Sequence, residues 1–209
     1  MFIELVDALR CPNPHEESWL VATAERMVAR HIVDGVIGCP VCMSEFPVQR
    51  GVVDFRRMRS GPTIPSGSPV SEQAMRIAAL LALSDATGFA VLTGEWTVHT
   101  PLLVTMVETP LVLVDPAADV EGEPGVSVIR TDGMLPLASG AARGIAIDAG
   151  SPDRIASAVR ATRIKGRLMA PVSVPLPEGV RELARDETTW VGERETVDSP
   201  LIRLHVRRG

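Results

Sequence analysis

The rhythm of apolar and polar positions along the chain changes near residue 70. Upstream, the apolar runs are short and broken, and residues 3–9 read as one small element. Between residues 18 and 38, Leu20, Val21, Ala24, Met27, Val28, His31 and Ile32 fit helical spacing. The same stretch also divides into two strands, at 19–24 and 31–37, and a hairpin brings its two ends together most directly, so strands are the reading adopted. Two more short strands, 45–48 and 51–55, surround a turn. Residues 59–69, rich in Gly, Pro and Ser, have the composition of a linker.

Downstream, buried-type strands alternate with amphipathic stretches. Ser71 is placed to cap a helix carrying Met75, Ile77, Ala78, Leu80, Leu81 and Leu83, with Gly88 ending it. Strands are predicted at 89–93, 111–114, 126–129, 144–147 and 167–174. Helices are predicted at 96–108, at 152–164 behind Pro152, and at 179–185. Residues 188–191 and 201–206 then close the chain as an antiparallel pair. Such alternation predicts an α/β fold whose mainly parallel sheet carries helices on both faces.

The cysteines change this picture most. All three lie in two knuckles, Cys11-Pro-Asn-Pro-His15 and Cys39-Pro-Val-Cys42. With His15 they make three thiolates and one imidazole, a full tetrahedral set for Zn2+ and one that leaves no open position for a catalytic water. The metal expected from Cys11, His15, Cys39 and Cys42 is therefore structural. Two other readings use the same residues. His15 can simply cap a turn beside a cluster of cysteines. Cys39 and Cys42 can form a redox Cys-x-x-Cys, although Met43 to Pro47 do not start the helix that such a motif precedes. So small a unit has little core of its own, and metal binding would supply much of its folding free energy.

Composition narrows the function classes. The chain has 209 residues, a net charge of −5 and 3% aromatics with no Tyr. An acidic balance and few stacking side chains disfavour nucleic acid as a partner. No run of about 20 apolar residues predicts a membrane span. The acidic start, Glu4 and Asp7 among its first residues, does not read as a signal peptide, and cysteines set out as ligands suit a reducing cytoplasm.

Two resemblances follow from particular phrases. Leu9-Arg10-Cys11-Pro12, Gly38-Cys39-Pro40-Val41-Cys42 and Phe46-Pro47-Val48-Gln49-Arg50-Gly51-Val52-Val53 resemble the small zinc-ribbon protein that activates tRNA, rRNA and release-factor methyltransferases. That likeness covers the first quarter of the chain and departs where His15 stands for a second Cys. The order of elements downstream, with Asp132-Gly133-Met134-Leu135-Pro136 and Arg163-Ile164-Lys165-Gly166-Arg167, resembles a class I S-adenosylmethionine-dependent methyltransferase. The organisation implied is a zinc-ribbon domain (1–57), a linker (58–70) and a Rossmann-like methyltransferase-type domain (71–209).

The second resemblance implies S-adenosylmethionine as cofactor, with Gly94 in the loop under its methionine part, Asp115 on the ribose and Asp132 near the adenine. It also puts Asp148 where an acceptor substrate lies, though no Asn-Pro-Pro-Tyr-like motif follows. Both Asp115 and Asp132 can equally do no more than end their strands. The loop Thr93-Gly94-Glu95-Trp96-Thr97-Val98-His99-Thr100 departs from the family, having one Gly and a Trp where space is needed. His99 is a candidate base or a solvated loop histidine, and Trp19 and Trp190 are read as core or interface residues. The expectation is a zinc-binding, non-catalytic scaffold for a protein partner, a methyltransferase among the candidates. The alternatives are an active methyltransferase with an atypical loop and a nucleic-acid module built on the ribbon.

Overall fold

The computed structural model describes residues 1–57, 67–116, 120–148 and 150–195. Its strands in chain order are β1 (Val21–Val28), β2 (His31–Gly38), β3 (Glu45–Gln49), β4 (Val52–Asp54), β5 (Ala90–Thr93), β6 (Leu111–Val114), β7 (Val126–Arg130), β8 (Ala142–Ala146), β9 (Thr162–Pro171), β10 (Val180–Arg185) and β11 (Thr189–Arg194). The helices are α1 (Ser71–Leu80), α2 (Thr100–Leu103) and α3 (Pro152–Ala161), with 3-10 helices at Ile3–Ala8 and Gly94–His99.

Among the described residues all eleven strands join one mixed sheet, in the order β1-β2-β3-β4-β7-β6-β5-β8-β9-β11-β10. Strands β4, β7, β6, β5, β8 and β9 run parallel, and antiparallel hairpins extend the sheet at both ends. The seam is β4 on β7, in the register Val52↔Val128, Val53↔Ile129 and Asp54↔Arg130. Phe55 N–H continues the ladder to Arg130 O at 2.8 Å.

Because strand side chains alternate, each central strand feeds two cores. Ala90, Leu92, Leu111, Leu113, Val126 and Val128 pack with Ala74, Ile77 and Leu81 of the α1 region and with Leu103. Val91, Val112, Val114, Ile129, Ile145 and Ile147 form the other core with Ala158 and Ala161 of α3. That second core runs without a break into Ile32, Ile37, Phe46, Val48, Val53 and Phe55 of the first hairpins. The segment that carries the two knuckles therefore shares its core with the parallel sheet. On this face the connection between β7 and β8 has no helix. The N-terminal 3-10 helix lies there instead, with Leu5 and Leu9 fully buried, Ala138 N–H donating to Ala8 O (2.8 Å) and Phe2 N–H donating to Ser127 Oγ (2.9 Å).

Several expectations are corrected. Residues 180–185 are a strand rather than a helix, because Val180–Arg185 pairs with β11. Its period-2 burial was hidden, since its outer residues face solvent on both sides. β11 is therefore paired with β9 and β10, and the predicted partner strand at 201–206 lies outside the described residues. The predicted helix at 96–108 is a 3-10 turn followed by the four-residue α2, with Pro101 near the junction. Ser71 is the first residue of α1 rather than its cap, and Val70 holds the cap position without a side-chain bond. β9 starts five residues earlier than expected. Lys165, at φ 63°, lies where three extra β9 residues bulge between Thr162 and Arg167.

Trp190 is fully buried on β11 and donates its Nε1–H to Val174 O at 2.7 Å. Trp190→Ala should cost about 3–5 kcal/mol, read as a lowered midpoint in urea denaturation. A loss below about 1 kcal/mol would mean that this end of the sheet does not contribute to the core as described.

Candidate metal centre and carboxyl edge

The two knuckles are brought together by strand pairing. The β1–β2 hairpin sets Val21 opposite Gly38, so the chain entering β1 lies beside the chain leaving β2. The first knuckle is closed by Arg10 pairing with Trp19 and by Cys11 N–H donating to Ser18 O (3.3 Å). The buried Arg10 guanidinium sits 3.5 Å over the Trp19 ring and donates to Glu17 Oε1 at 3.0 Å. The second knuckle sits between β2 and β3. Cys39 N–H donates to Ser44 O and Met43 N–H to Cys39 O, both at 2.9 Å, and Met43 takes φ 58° to complete the turn.

One donor atom from each of Cys11, His15, Cys39 and Cys42 lies within 4.8 Å of the others. Cys11 Sγ and Cys42 Sγ are 3.7 Å apart, and Cys39 Sγ and His15 Nε2 are 3.5 Å apart. A tetrahedral zinc at about 2.3 Å from sulfur and about 2.0 Å from nitrogen requires edges of about 3.8 Å and about 3.5 Å. The donor set thus has the dimensions of the ion it could hold. His15 Nδ1 lies 2.6 Å from Glu16 O. Donation to that carbonyl fixes the tautomer that leaves Nε2 free to ligate.

Charge in this cluster is divided unevenly. Ser44 first, then Asn13, hydrogen-bond to the Cys42 sulfur and lower its thiol to about 5. Burial pushes Cys11 up to about 12, and the neighbouring sulfurs add to it. Burial also raises Cys39, but N–H groups of Cys42 and Val41 aimed at its sulfur leave it below its usual value. The donation to Glu16 raises His15. One thiolate forms readily and a third does not form unaided, and a divalent cation is what would let all three ionise.

The knuckles are wired to the sheet. Asn13 Nδ2 donates to Cys42 Sγ (3.4 Å) and Ser44 Oγ (2.8 Å), Arg57 Nη2 donates to Asn13 Oδ1 (3.3 Å), and Arg57 N–H donates to Asp132 Oδ2 (2.8 Å). Sequence reasoning missed Asn13 and Ser44 as groups that orient a ligand. Their place inside or next to the knuckles was the available signal.

Gly94, Asp115, Asp132 and Asp148 all follow the carboxyl ends of parallel strands: β5, β6, β7 and β8. Each is engaged within the chain. Asp148 Oδ1 accepts from Thr93 Oγ1 at 2.6 Å, and Oδ2 accepts from Glu95 N–H at 3.4 Å. Gly94 has φ 47°, and a Cβ there would fall 1.7 Å from Asp148 Oδ2. Trp96 reaches across to donate Nε1–H to Ile147 O at 2.9 Å. Asp115 Oδ2 accepts from Arg154 Nη2 at 2.5 Å, and its Oδ1 accepts from Thr131 N–H at 2.8 Å. Arg154 also holds Gly133 O (2.8 Å). Nothing in the sequence pointed to Arg154, which lies 39 residues from Asp115.

His99 is buried rather than a solvated loop histidine. Its Nδ1 accepts from Val70 N–H at 3.2 Å, and burial lowers its pKa. Trp190 is core, whereas Trp19 is 63% exposed beneath Arg10. No helix among the described residues is long and apolar enough to cross a membrane.

No known family model matches this chain, and no curated protein matches it. Among solved structures it is similar to a structural-genomics protein of Corynebacterium glutamicum, at 13% identity over 63% of this chain and 84% of that one, with a TM-score of 0.46. It is similar to a mutant of MtNAS in complex with S-adenosylmethionine, at 16% identity over 60% of this chain and 61% of that one, TM-score 0.39. It is also similar to geranyl diphosphate C-methyltransferase of Streptomyces coelicolor in complex with S-adenosyl-L-homocysteine, at 13% identity over 48% of this chain and 42% of that one, TM-score 0.39. The chain thus spans most of the first protein but less than two thirds of the other two. These are likenesses of backbone course and identify neither a reaction nor a ligand of this chain.

Elemental analysis of the purified chain should give one zinc per chain. Cys39→Ser should lose it and lower the thermal midpoint. Asn13→Ala should keep the stoichiometry and weaken zinc about tenfold in chelator competition. Full metal content and an unchanged midpoint in Cys39→Ser would mean that no metal centre is built here.

Proposed function

We propose that this chain is a zinc-stabilised scaffold built on a methyltransferase-like sheet that does not bind cofactor, and that it serves a protein partner rather than a reaction. The ion would be held by Cys11, His15, Cys39 and Cys42 and would act structurally, since protein fills all four positions. Counting from β5, the strand order β7-β6-β5-β8-β9 reads 3-2-1-4-5. Such a sheet reverses direction at β5, and ligands of open α/β sheets enter at that reversal, beyond the carboxyl ends.

The observation that carries the reading is the Arg154–Asp115 pair. The acid that would take the ribose hydroxyls is held at 2.5 Å by a largely buried guanidinium. Asp148 supports it from the other side, setting a carboxylate of the protein itself against the Gly94–Glu95 backbone. A cofactor would have to displace both contacts and leave partly buried charges to find new partners. The likeness of the knuckles to a methyltransferase-activating ribbon makes a methyltransferase the partner to try first.

A second reading, an active methyltransferase with an atypical loop, is favoured by the position of Asp115 and Asp132 at the ends of β6 and β7. One titration separates the two. Isothermal calorimetry of the full chain with S-adenosylmethionine and S-adenosylhomocysteine should show no saturable binding tighter than about 1 mM. Micromolar binding would sink the scaffold reading. If that binding then weakened at least about tenfold in Asp115→Ala, the second reading would take its place.

A further inference from the structure

An open groove of about 620 Å³ lies along α1, lined by Met75, Ala78, Ala79, Leu83, Met106 and Arg167 among others. Small-molecule sites occupy about 300–1,000 Å³, so the groove has the size of a ligand site. Its shape follows from the sequence. Ala78, Ala79 and Ala82 have no side chain beyond Cβ, and the end of α1 with its following turn is left as a trough. Ala82 takes φ 54°, and Leu83 N–H donates back to Ala78 O at 2.9 Å, which turns the chain and buries Leu83. A surface helix ordinarily turns polar side chains outward. Here the exposed positions Met75 and Ala79 are apolar, and Met106 beyond α2 is exposed beside them.

One charged side chain lines the groove among the described residues, and no carboxylate pairs with it. Arg167 donates from Nη1 to Ala79 O at 3.2 Å and to Leu80 O at 3.1 Å, the last carbonyls of α1. Those two bonds use both hydrogens of Nη1 and fix the guanidinium. Its Nε–Nη2 edge, a pair of parallel N–H groups, has no partner among the described residues. The end of a helix carries only about half a negative charge, so the two carbonyls do not cancel the cation. The acids of the neighbouring elements are engaged elsewhere. Glu193, opposite Arg167 in the β9–β11 register, is held by Lys165 at 3.2 Å and Arg181 at 3.0 Å. Asp186 is held by Arg76, and Asp85 by Arg143.

We infer that this groove binds an alkyl monocarboxylate, with its chain in the trough and its carboxylate on the Nε–Nη2 edge of Arg167. A guanidinium edge matches the two oxygens of a carboxylate and bonds them in parallel. One cation balances one negative charge, whereas a phosphomonoester dianion would bring a second charge with no partner. The trough asks for an apolar tail, and the unbranched Met75 and Met106 can repack around a flexible one. Arg167 is in register with Gly144, and Gly144 with Ala90, the first residue of β5. The groove therefore lies toward the amino ends of the parallel strands, opposite the edge that carries Gly94, Asp115, Asp132 and Asp148. None of those residues lines it, and none of the four metal donors does, so binding here is independent of both.

The test is an NMR titration of the full chain, with isotope-labelled methionine methyls, against decanoate. A parallel titration uses 1-decanol, which has the same tail and no charge. Saturable shifts of the Met75 and Met106 methyls are expected. Decanoate should bind at least about tenfold tighter than decanol, as one charged hydrogen bond is worth. Arg167→Gln should erase that preference and leave decanol affinity where it was. Ala79→Phe, at an exposed position, should block both ligands while the thermal midpoint stays near that of the parent chain. If Arg167→Gln fails to fold, the preference in the parent chain and the Ala79→Phe result decide together. Shifts that do not saturate, decanol binding as tightly as decanoate, or decanoate affinity unchanged in Arg167→Gln would overturn the proposal.

Discussion

A strand edge cannot be left bare inside a protein, because each N–H and C=O on it needs a partner. In this chain the outer edge of β7 meets that requirement with β4, a strand of three residues carried by the N-terminal segment. The consequences reach far beyond three residues. Through β4, the β1–β2–β3 hairpins become the continuation of the parallel sheet. Val53 and Phe55 deliver their side chains into the core that Ile129 and Val112 already occupy, and Phe46 packs on Phe55 with ring centres 4.7 Å apart and planes tilted by 51°. The N-terminal 3-10 helix then covers the face where the β7–β8 connection supplies no helix. Two segments that differ in sequence character become one hydrophobic body.

That continuity changes what a metal at the knuckles would do. In an isolated small unit, metal binding and folding are one event. Here part of the stabilisation of β2 and β3 comes from the shared core, and the knuckles add their share on top of it. The chain of hydrogen bonds from Cys42 through Asn13 and Arg57 to Asp132 also ties the knuckles to the carboxyl edge of the sheet. A change at the knuckles therefore has a short path to the loop after β7.

What was legible in the sequence followed from local rules. The grouping of Cys11, His15, Cys39 and Cys42 was readable because knuckle spacing is a local property and because no cysteine fell outside it. The buried central strands were readable because runs such as Leu111-Val112-Leu113-Val114 have no other use in a globular chain. Residues 180–185 were misread because β10 is an edge strand with solvent on both faces, so it carries no alternation to recognise. The union of the two segments was not legible at all. Parallel pairing of β4 with β7 joins residues more than 70 positions apart, and no local signal specifies it. Arg154 escaped notice for the same reason.

At the carboxyl edge, each residue that the methyltransferase resemblance marks as a cofactor ligand also has a partner within the fold. Gly94 was singled out as the glycine on which a cofactor would rest. Its φ of 47° and the approach of Asp148 Oδ2 are sufficient to demand glycine with no ligand present. Asp115, likewise read as a ribose ligand, is required where it stands to neutralise Arg154 and to accept from Thr131 N–H. Asp132 accepts from the backbone of Arg57. Each residue that marked a binding site is held in place by a need internal to the fold. Glycine and aspartate at strand ends therefore record that backbones approach closely and that charges are paired there, and in this fold the long-range partners that account for both are Arg154 and Asp148.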